Sequence, residues 1–446
     1  MIPPETHYTK IDDAWIAYQV IGDGPIDLVF NAGISSNIEV VWDVPLWAAM
    51  LERMATYSRL ILFDRRGSGI SEPLQRESVS TWELWSEDLR AVLDAAGSER
   101  TAIFAQYDGA MTALLFAATN PERTTALILW NGMAGARAAE DYPEGRNNEE
   151  FETSLEAVSN IWGTVDMAAL VDPTLAADER YLRLLARHAR CSVTPGQYVT
   201  LLRYITELDA RHVLPSIRVP TLVLHREKNN FIPMDWGRYI AEHIEGARFV
   251  AIPGVDLSPW ATDTEVIHDQ IEAFLGVASK AVDADRILAT VLFSDIVGST
   301  ETAASMGDRR WKEMLGEHDR VAELQIGRFN GRIVNRMGDG FLATFDGPGR
   351  AIRCVHALSR QLGSSGIKIR AGLHTGEIEL RDDGDVGGIA VHIAARVMGE
   401  AGPGEVVCSR TVKDLVAGSE FAFEDRGLRA LKGVPDEWQL YAVRQA

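Results

Sequence analysis

Cysteine is scarce in this chain of 446 residues: Cys191, Cys354 and Cys408 stand far apart, with no metal-ligand spacing. That pattern excludes a disulfide scaffold and a cysteine-held zinc site, and suggests a reducing cytoplasm. No apolar run approaches about 18 residues, so no membrane span is expected. The opening MIPPETHYTKIDDAW lacks a basic-then-apolar pattern, so no signal peptide is expected. Positive charge is in deficit, with a formal net charge of −20. Nucleic acid and anionic membrane are therefore not the expected partners, although a local basic pocket can still hold a nucleotide. No internal repeat and no low-complexity tract is evident.

What is present falls into two patterns. From about residue 26 to 131, apolar runs (DLVFNAG, RLILFD, TAIFA, ALILWNG) alternate with helical stretches, and TLVLH (221–225) and RFVAIP (248–253) continue them. That alternation implies a parallel sheet with helices on both faces. Residues from about 136 to 214 are acidic and helix-prone, and read as a helical cap over the sheet's C-terminal edge. A small, polar stretch at 276–286 reads as a linker between a domain at 1–275 and one at 287–446. The second domain runs strand, helix (about 300–328), hairpin (332–345), helix (348–361) and strand (367–373), an α+β order on a split βαβ, ferredoxin-like core.

Two aspartates dominate that second domain. Asp295 ends the run ILATVLFSD, and Asp339 sits in RMGDGFLATF at the expected tip of a hairpin. Carboxylates on a strand end and a hairpin tip can converge on divalent metal, and two hard cations plus a substrate's phosphates can support in-line displacement at phosphorus.

The segment 287–443 resembles a class III nucleotide cyclase catalytic domain, through VLFSDIVGST, GDRRWKEMLGEHD, GRIVNRMGDGFLATFDGP, IRAGLHTGE, DVGGIAVHIAAR and LKGVPDEWQLYAV. The resemblance implies that Asp295 and Asp339, with Ile296, hold two Mg²⁺ or Mn²⁺ ions. It implies that Ile296, Gly298, Ser299 and Thr300 meet phosphate oxygens through the loop before the helix. Arg396 matches the arginine that stabilises charge on the α-phosphate, and Lys432 matches a lysine on the terminal phosphates. Asp385 matches one purine-reading position. Asn335 stands at the other, where adenylyl cyclases carry Lys and guanylyl cyclases Glu, and its amide neither demands nor excludes one purine. His392 replaces the usual Asn and can donate one N–H or, protonated, a positive charge. The substrate implied is ATP, with GTP left open. The family's sites are shared across a two-fold homodimer, with Asp295 and Asp339 from one protomer and Asn335, Asp385, His392 and Arg396 from the other.

Residues 8–275 resemble the α/β-hydrolase family, through IAYQVIGDGPIDLVFNAG, LILFDRRGSGIS, LLFAATNPERTTALIL and VPTLVLHREKNNFIP. An active member needs a nucleophile on a G-x-S-x-G elbow, an acid and a histidine. The elbow reads AQYDG, placing Tyr107 at the nucleophile; Asn229 falls at the acid, and Leu257, in GVDLSPW, at the histidine. A phenol with an ordinary pKa of about 10 and no aligned base is a poor nucleophile at neutral pH. Asn229 and Leu257 can neither stabilise an imidazolium nor move a proton. A shift of one residue would put Asp108 at the elbow as a carboxylate nucleophile, still without a histidine. What remains is a capped fold with a pocket for a small, largely apolar ligand, which Tyr107, Asn229, Asn31 and the tryptophans Trp42, Trp47, Trp82, Trp85, Trp162 and Trp260 could line.

The reading that follows is a homodimeric adenylyl cyclase with a non-catalytic hydrolase-like domain as ligand sensor or scaffold. The alternatives are an esterase regulated by an inactive cyclase-like domain, and a protein in which both domains only bind ligands. The domain that keeps its reactive groups separates them, and that is the C-terminal one.

Overall fold

The structure is a computed structural model and describes residues 3–74, 81–140, 142–278, 286–299, 306–381 and 385–444. It divides into two compact units, Met1–Ala284 and Asp285–Ala446. Among the described residues, no helix is long and apolar enough to cross a membrane.

The first unit is built on strands β1 (His7–Ile11), β2 (Ala14–Ile21), β3 (Asp27–Asn31), β4 (Arg59–Phe63), β5 (Thr101–Gln106), β6 (Thr124–Trp130), β7 (Thr221–Arg226) and β8 (Arg248–Ile252). Their order in the sheet is β1-β2-β4-β3-β5-β6-β7-β8. From β4 to β8 all neighbours are parallel, while the β1–β2 hairpin joins β4 antiparallel. That hairpin was not expected from sequence: HYTKI is largely polar, as an edge strand's solvent face allows. The central strand β5 is buried at all six positions, as a parallel strand covered on both faces must be.

The helices are α1 (Pro45–Tyr57), α2 (Thr81–Ala95), α3 (Gly109–Thr119), α4 (Asn148–Ile161), α5 (Val165–Val171), α6 (Glu179–Ser192), α7 (Pro195–Glu207), α8 (Met234–His243) and α9 (Thr264–Ala278). Helix α3, GAMTALLFAAT, is apolar all round and buried along almost its whole length, so it is a core element rather than an amphipathic one. Its first residue must be glycine, because a Cβ on Gly109 would sit 2.8 Å from the Asn31 carbonyl oxygen. Helices α4 to α7 form the cap. They start on side-chain caps that satisfy the first free N–H groups, with full capping boxes at Asn147–Glu150 and Thr194–Gln197. Residues 276–278 complete α9 and Arg286 opens the next strand, so 279–285 of the expected linker lie outside the described residues.

The second unit contains β9 (Arg286–Ile296), α10 (Asp308–Arg328), β10 (Arg332–Met337), β11 (Gly340–Phe345), α11 (Pro348–Ser364), β12 (Ile369–Leu380), β13 (Val386–Gly387), α12 (Ile389–Gly399), β14 (Val406–Ser409), α13 (Arg410–Leu415), β15 (Ala422–Ala430) and β16 (Glu437–Arg444). The sheet order is β10-β11-β9-β12-β14-β16-β15, with β13 paired to β12. The helix expected from about residue 300 is described only from Asp308, behind Gly307 at φ +79°. Clusters of buried apolar side chains flank the sheet on both faces. Leu292 and Ile296 join α10 and α11 on one face, and Ala289, Val291 and Phe293 join Ala390 and Ala394 of α12 on the other. Helix α12 lies almost on the strand: a Cβ on Gly372 would come within 2.1 Å of the Met398 backbone nitrogen.

Candidate functional sites

Asp295 is the tenth of eleven residues in β9, and Asp339 occupies the turn between β10 and β11. The register pairs Gly340 with Asp295, and the Ile296 N–H donates to the Asp339 carbonyl at 3.2 Å. The hairpin thus carries Asp339 to the end of β9 that bears Asp295. By strand alternation Asp295 continues the row Ala289, Val291, Phe293, and so faces the side of the sheet that α12 covers.

One partner of Asp295 escaped the sequence reading. Arg370 stands directly across the ladder on β12, and its Nη2 donates to Asp295 Oδ2 at 2.8 Å. The signal available was an arginine interrupting an otherwise apolar strand, IRAGL, but which neighbour it met depended on the β9–β12 register. The loop after Asp295 also differs from expectation. The N–H groups of Ile296 and Val297 are spent on the carbonyls of Asp339 and Lys368, so Ile296 cannot offer its N–H to phosphate. Its side chain is buried in the core, leaving its carbonyl as the one atom it could bring to a metal. Gly298, at φ +66°, and Ser299 follow, and Thr300 lies outside the described residues.

The carboxylate pair fits a hard divalent cation in donor type. Both groups are only partly buried, and among the described residues no cluster of three or more histidine, cysteine or acidic side chains surrounds them. A magnesium-type ion needs no more from protein than one or two carboxylates if phosphates and water complete its shell.

The other predicted residues lie on β10, beside β13, on α12 and after β15. Asn335 is exposed beside a bulge in β10. Asp385 faces Arg381 at 3.4 Å and accepts the Arg381 backbone N–H on its carbonyl. On α12, Ala390 and Met398 touch the sheet at Gly376 and Gly372. His392 and Arg396, two residues beyond Ala390 and Ala394, fall on the outer face and are exposed. Arg396 Nε donates to the Lys432 carbonyl at 2.9 Å, which ties the arginine to the loop carrying that lysine. Met337, Leu380 and Ile389 are exposed apolar side chains in the same segments as Asp339, Asp385 and His392.

In the first unit, Tyr107 sits at the β5–α3 turn with φ +55°, a left-handed conformation costly for a bulky residue. Its hydroxyl donates to the Leu257 carbonyl at 3.0 Å. The same oxygen takes Trp130 Nε1 at 2.8 Å and Asn131 Nδ2 at 3.1 Å. Burial, then the nearby Asp172 carboxylate, push the phenol well above its ordinary range. Asn229 turns inward on its own loop: Oδ1 accepts the N–H groups of Phe231 and Ile232, and Nδ2 donates to the Val255 carbonyl.

Asp108 is placed where it cannot attack. Its Oδ2 pairs with Arg65 at 2.5 Å, and its Oδ1 accepts the Ile34 N–H at 3.2 Å. Arg65 stacks on Trp85 with its guanidinium carbon 3.9 Å from the ring centre. The carboxylate presses so close to the β3 loop that a Cβ on Gly33 would lie 2.5 Å from Oδ1. It fills the place beside the elbow where a hydrolase's backbone N–H groups receive an oxyanion. Neither Asp108 nor Arg65 was identified from sequence as part of such a plug, because the contact joins residues 43 apart in the chain.

Between the elbow and the cap lies a cavity of about 430 Å³. Tyr107, Trp47, Trp162 and Trp260 line it, as does Trp236. Asn31 and Asn229 do not, contrary to expectation. Asn31 spends its amide on the Gly109 carbonyl and the Gly33 N–H, and Asn229 on its own loop. Trp42, Trp82 and Trp85 also pack elsewhere; Trp42 binds Gln19 and Trp85 the Arg66 carbonyl.

Comparison with known proteins agrees with both halves. The model of the α/β hydrolase fold matches residues 28–256, more than half of the chain, and that of the adenylate and guanylate cyclase catalytic domain matches 283–445. A pimeloyl-[acyl-carrier protein] methyl ester esterase of Neisseria meningitidis serogroup C is 30% identical over 40% of this chain and 72% of its own length. A putative adenylate cyclase 3 of Rhizobium meliloti is 30% identical over 33% of this chain, which spans only 27% of that relative. A hydrolase structure from Pseudomonas aeruginosa superimposes with a TM-score of 0.50 at 22% identity, covering 61% of this chain and 98% of its own, which speaks to fold alone. The chain belongs to the α/β-hydrolase fold family and carries behind that domain a cyclase catalytic domain of the adenylate and guanylate type.

Proposed function

We propose that the protein converts ATP, with GTP as a second candidate, to the 3′,5′-cyclic nucleotide and pyrophosphate. The observation that carries the reading is the placement of Asp339 against Asp295 across the β9–β11 ladder. Asp295 and Asp339 would hold two Mg²⁺ or Mn²⁺ ions, which would lower the pKa of the 3′-hydroxyl and neutralise the phosphates. The ribose 3′-oxygen forms a bond to the α-phosphorus, the bond to pyrophosphate breaks, and the hydroxyl proton is lost. Gly298 and Ser299 would offer N–H groups to phosphate, and Arg370, which donates to Asp295, would add a cation beside the carboxylates. Arg396 would oppose charge developing at the α-phosphate, Lys432 would meet the terminal phosphates, and Asn335 and Asp385 would read the base.

A homodimer would complete the site. Asn335, His392 and Arg396 are exposed in one protomer, with His392 and Arg396 on the face of α12 turned from the sheet that holds Asp295. Exposed Met337, Leu380 and Ile389 give that surface an apolar share that a two-fold partner would cover. The hydrolase-like domain would act as a sensor: its cavity persists while Tyr107, Asn229 and Leu257 leave no triad. Pure protein incubated with ATP or GTP and Mn²⁺ or Mg²⁺ should yield cyclic nucleotide, and Asp295→Ala or Asp339→Ala should remove it. Wild-type protein silent with both nucleotides and both metals would refute the reading.

A further inference from the structure

The cap cavity has a charge asymmetry. Its wall is mostly apolar, with Trp47, Leu155, Trp162, Met167, Leu185 and Trp260 prominent. Among the described residues lining it, Asp108, Arg146 and His188 are the acidic and basic groups, beside the phenols of Tyr107 and Tyr198, which burial pushes up and so keeps neutral. Asp108 is cancelled by Arg65. His188 is fully buried, and burial pushes it down to about 4, so it is neutral near pH 7. Arg146 remains. It is half-buried, donates from Nη2 to the Phe231 carbonyl, and lies 5.6 Å from the Trp236 ring centre. Among the described residues it forms no ion pair. Burial pulls its guanidinium below the ordinary range, partly offset by Glu150, so the cation is short of compensating charge.

At the elbow the lining has the reverse character. There the Ile34 N–H is taken by Asp108 Oδ1, so the donor that would receive a carbonyl or carboxylate oxygen already holds one. An acidic or ester head at the elbow would face a carboxylate.

We infer that the cavity binds an amphipathic monocarboxylate, its acid on Arg146 and its apolar chain directed at Tyr107 and Trp260. This rests on the reading of the hydrolase-like domain as a ligand sensor. One arginine matches one carboxylate, and a bidentate pair there suits its planar donors. Because Arg146 joins the start of α4 to the Phe231 loop, the acid would sit on the seam between cap and sheet.

The test is a titration of the full-length protein with decanoate, decanol, methyl decanoate, decylamine and decyl phosphate, read by tryptophan fluorescence, since Trp47, Trp162, Trp236 and Trp260 line the cavity. Decanoate should bind at least about tenfold tighter than decanol or the ester, with the amine weakest and the phosphate below the carboxylate. Arg146→Met should abolish that preference while leaving decanol affinity unchanged, which shows the cavity intact; Arg146→Lys should keep part of it. Decanol or ester binding as tightly as decanoate, phosphate binding tighter than decanoate, or a preference that survives Arg146→Met would overturn the inference but leave the cavity a ligand site. Binding of none of the five would remove the sensor reading and this inference with it.

Discussion

The two units have kept opposite halves of an enzyme. The hydrolase-like unit keeps a cavity, a cap and a strained elbow, but Tyr107 spends its hydroxyl on the Leu257 carbonyl, Asn229 spends its amide on its own loop and on the Val255 carbonyl, and Asp108 has filled the oxyanion position. In the cyclase unit, Asp295 and Asp339 are half-buried and Arg396 is exposed, so these groups keep their polar atoms at the surface. A fold can thus retain its geometry while its reactive positions are filled by other side chains.

The comparison breaks most sharply at the carboxylates. Asp295→Ala and Asp339→Ala should each lower cyclic-nucleotide formation by about a thousandfold or more, while decanoate titration of the first unit stays unchanged. Should either variant retain wild-type turnover, the metal assignment fails. Arg396→Ala should cost about a hundredfold or more in kcat, and mixing it with Asp295→Ala should restore activity through mixed dimers that hold one intact site. No recovery on mixing would place all the groups in one protomer.

Stability sharpens the contrast within the first unit. Arg65→Met strands the buried Asp108 carboxylate, and loss of one partner of a buried pair costs about 3–5 kcal/mol. Denaturant unfolding followed through the tryptophans should show it, and replacing Asp108 by Ala in the same chain should recover much of the loss. His188 gives a pH signature. Its folded pKa, about 4, lies below the ordinary 6.5, so the unfolded chain binds the proton first. Stability from this group is full above about pH 6.5 and falls as pH drops towards 4, by an amount of order 2–3 kcal/mol. His188→Gln should flatten that limb relative to wild type in thermal melts. Smallest is Tyr107→Phe, which removes one of three donors to the Leu257 carbonyl and should cost about 1 kcal/mol, with no ester turnover to lose.

The alternation of apolar runs made the parallel sheet legible, because buried parallel strands have to be continuously apolar. The edge hairpin β1–β2 was not, since Lys10 and Thr9 on a strand with one wet side look like loop residues. Asp295 was legible because it ends an apolar run, and Asp339 because glycines on either side mark a hairpin tip. Arg370 was not, because its partner is set by register across the sheet, and Asp108 with Arg65 was not, because the pair closes over 43 residues of chain. Asn229 was expected to face the cavity from its place in sequence, but a short polar side chain on a tight loop satisfies its own backbone first.

The central claim is that reactivity resides in the second unit alone. The most direct measurement assays one preparation of wild-type protein in parallel for cyclic nucleotide from ATP with Mn²⁺ and for hydrolysis of an activated ester. The account predicts cyclic nucleotide that disappears in Asp339→Ala, and no ester turnover. Ester turnover that disappears in Tyr107→Phe or Asp108→Ala, with no cyclic nucleotide formed, would contradict it.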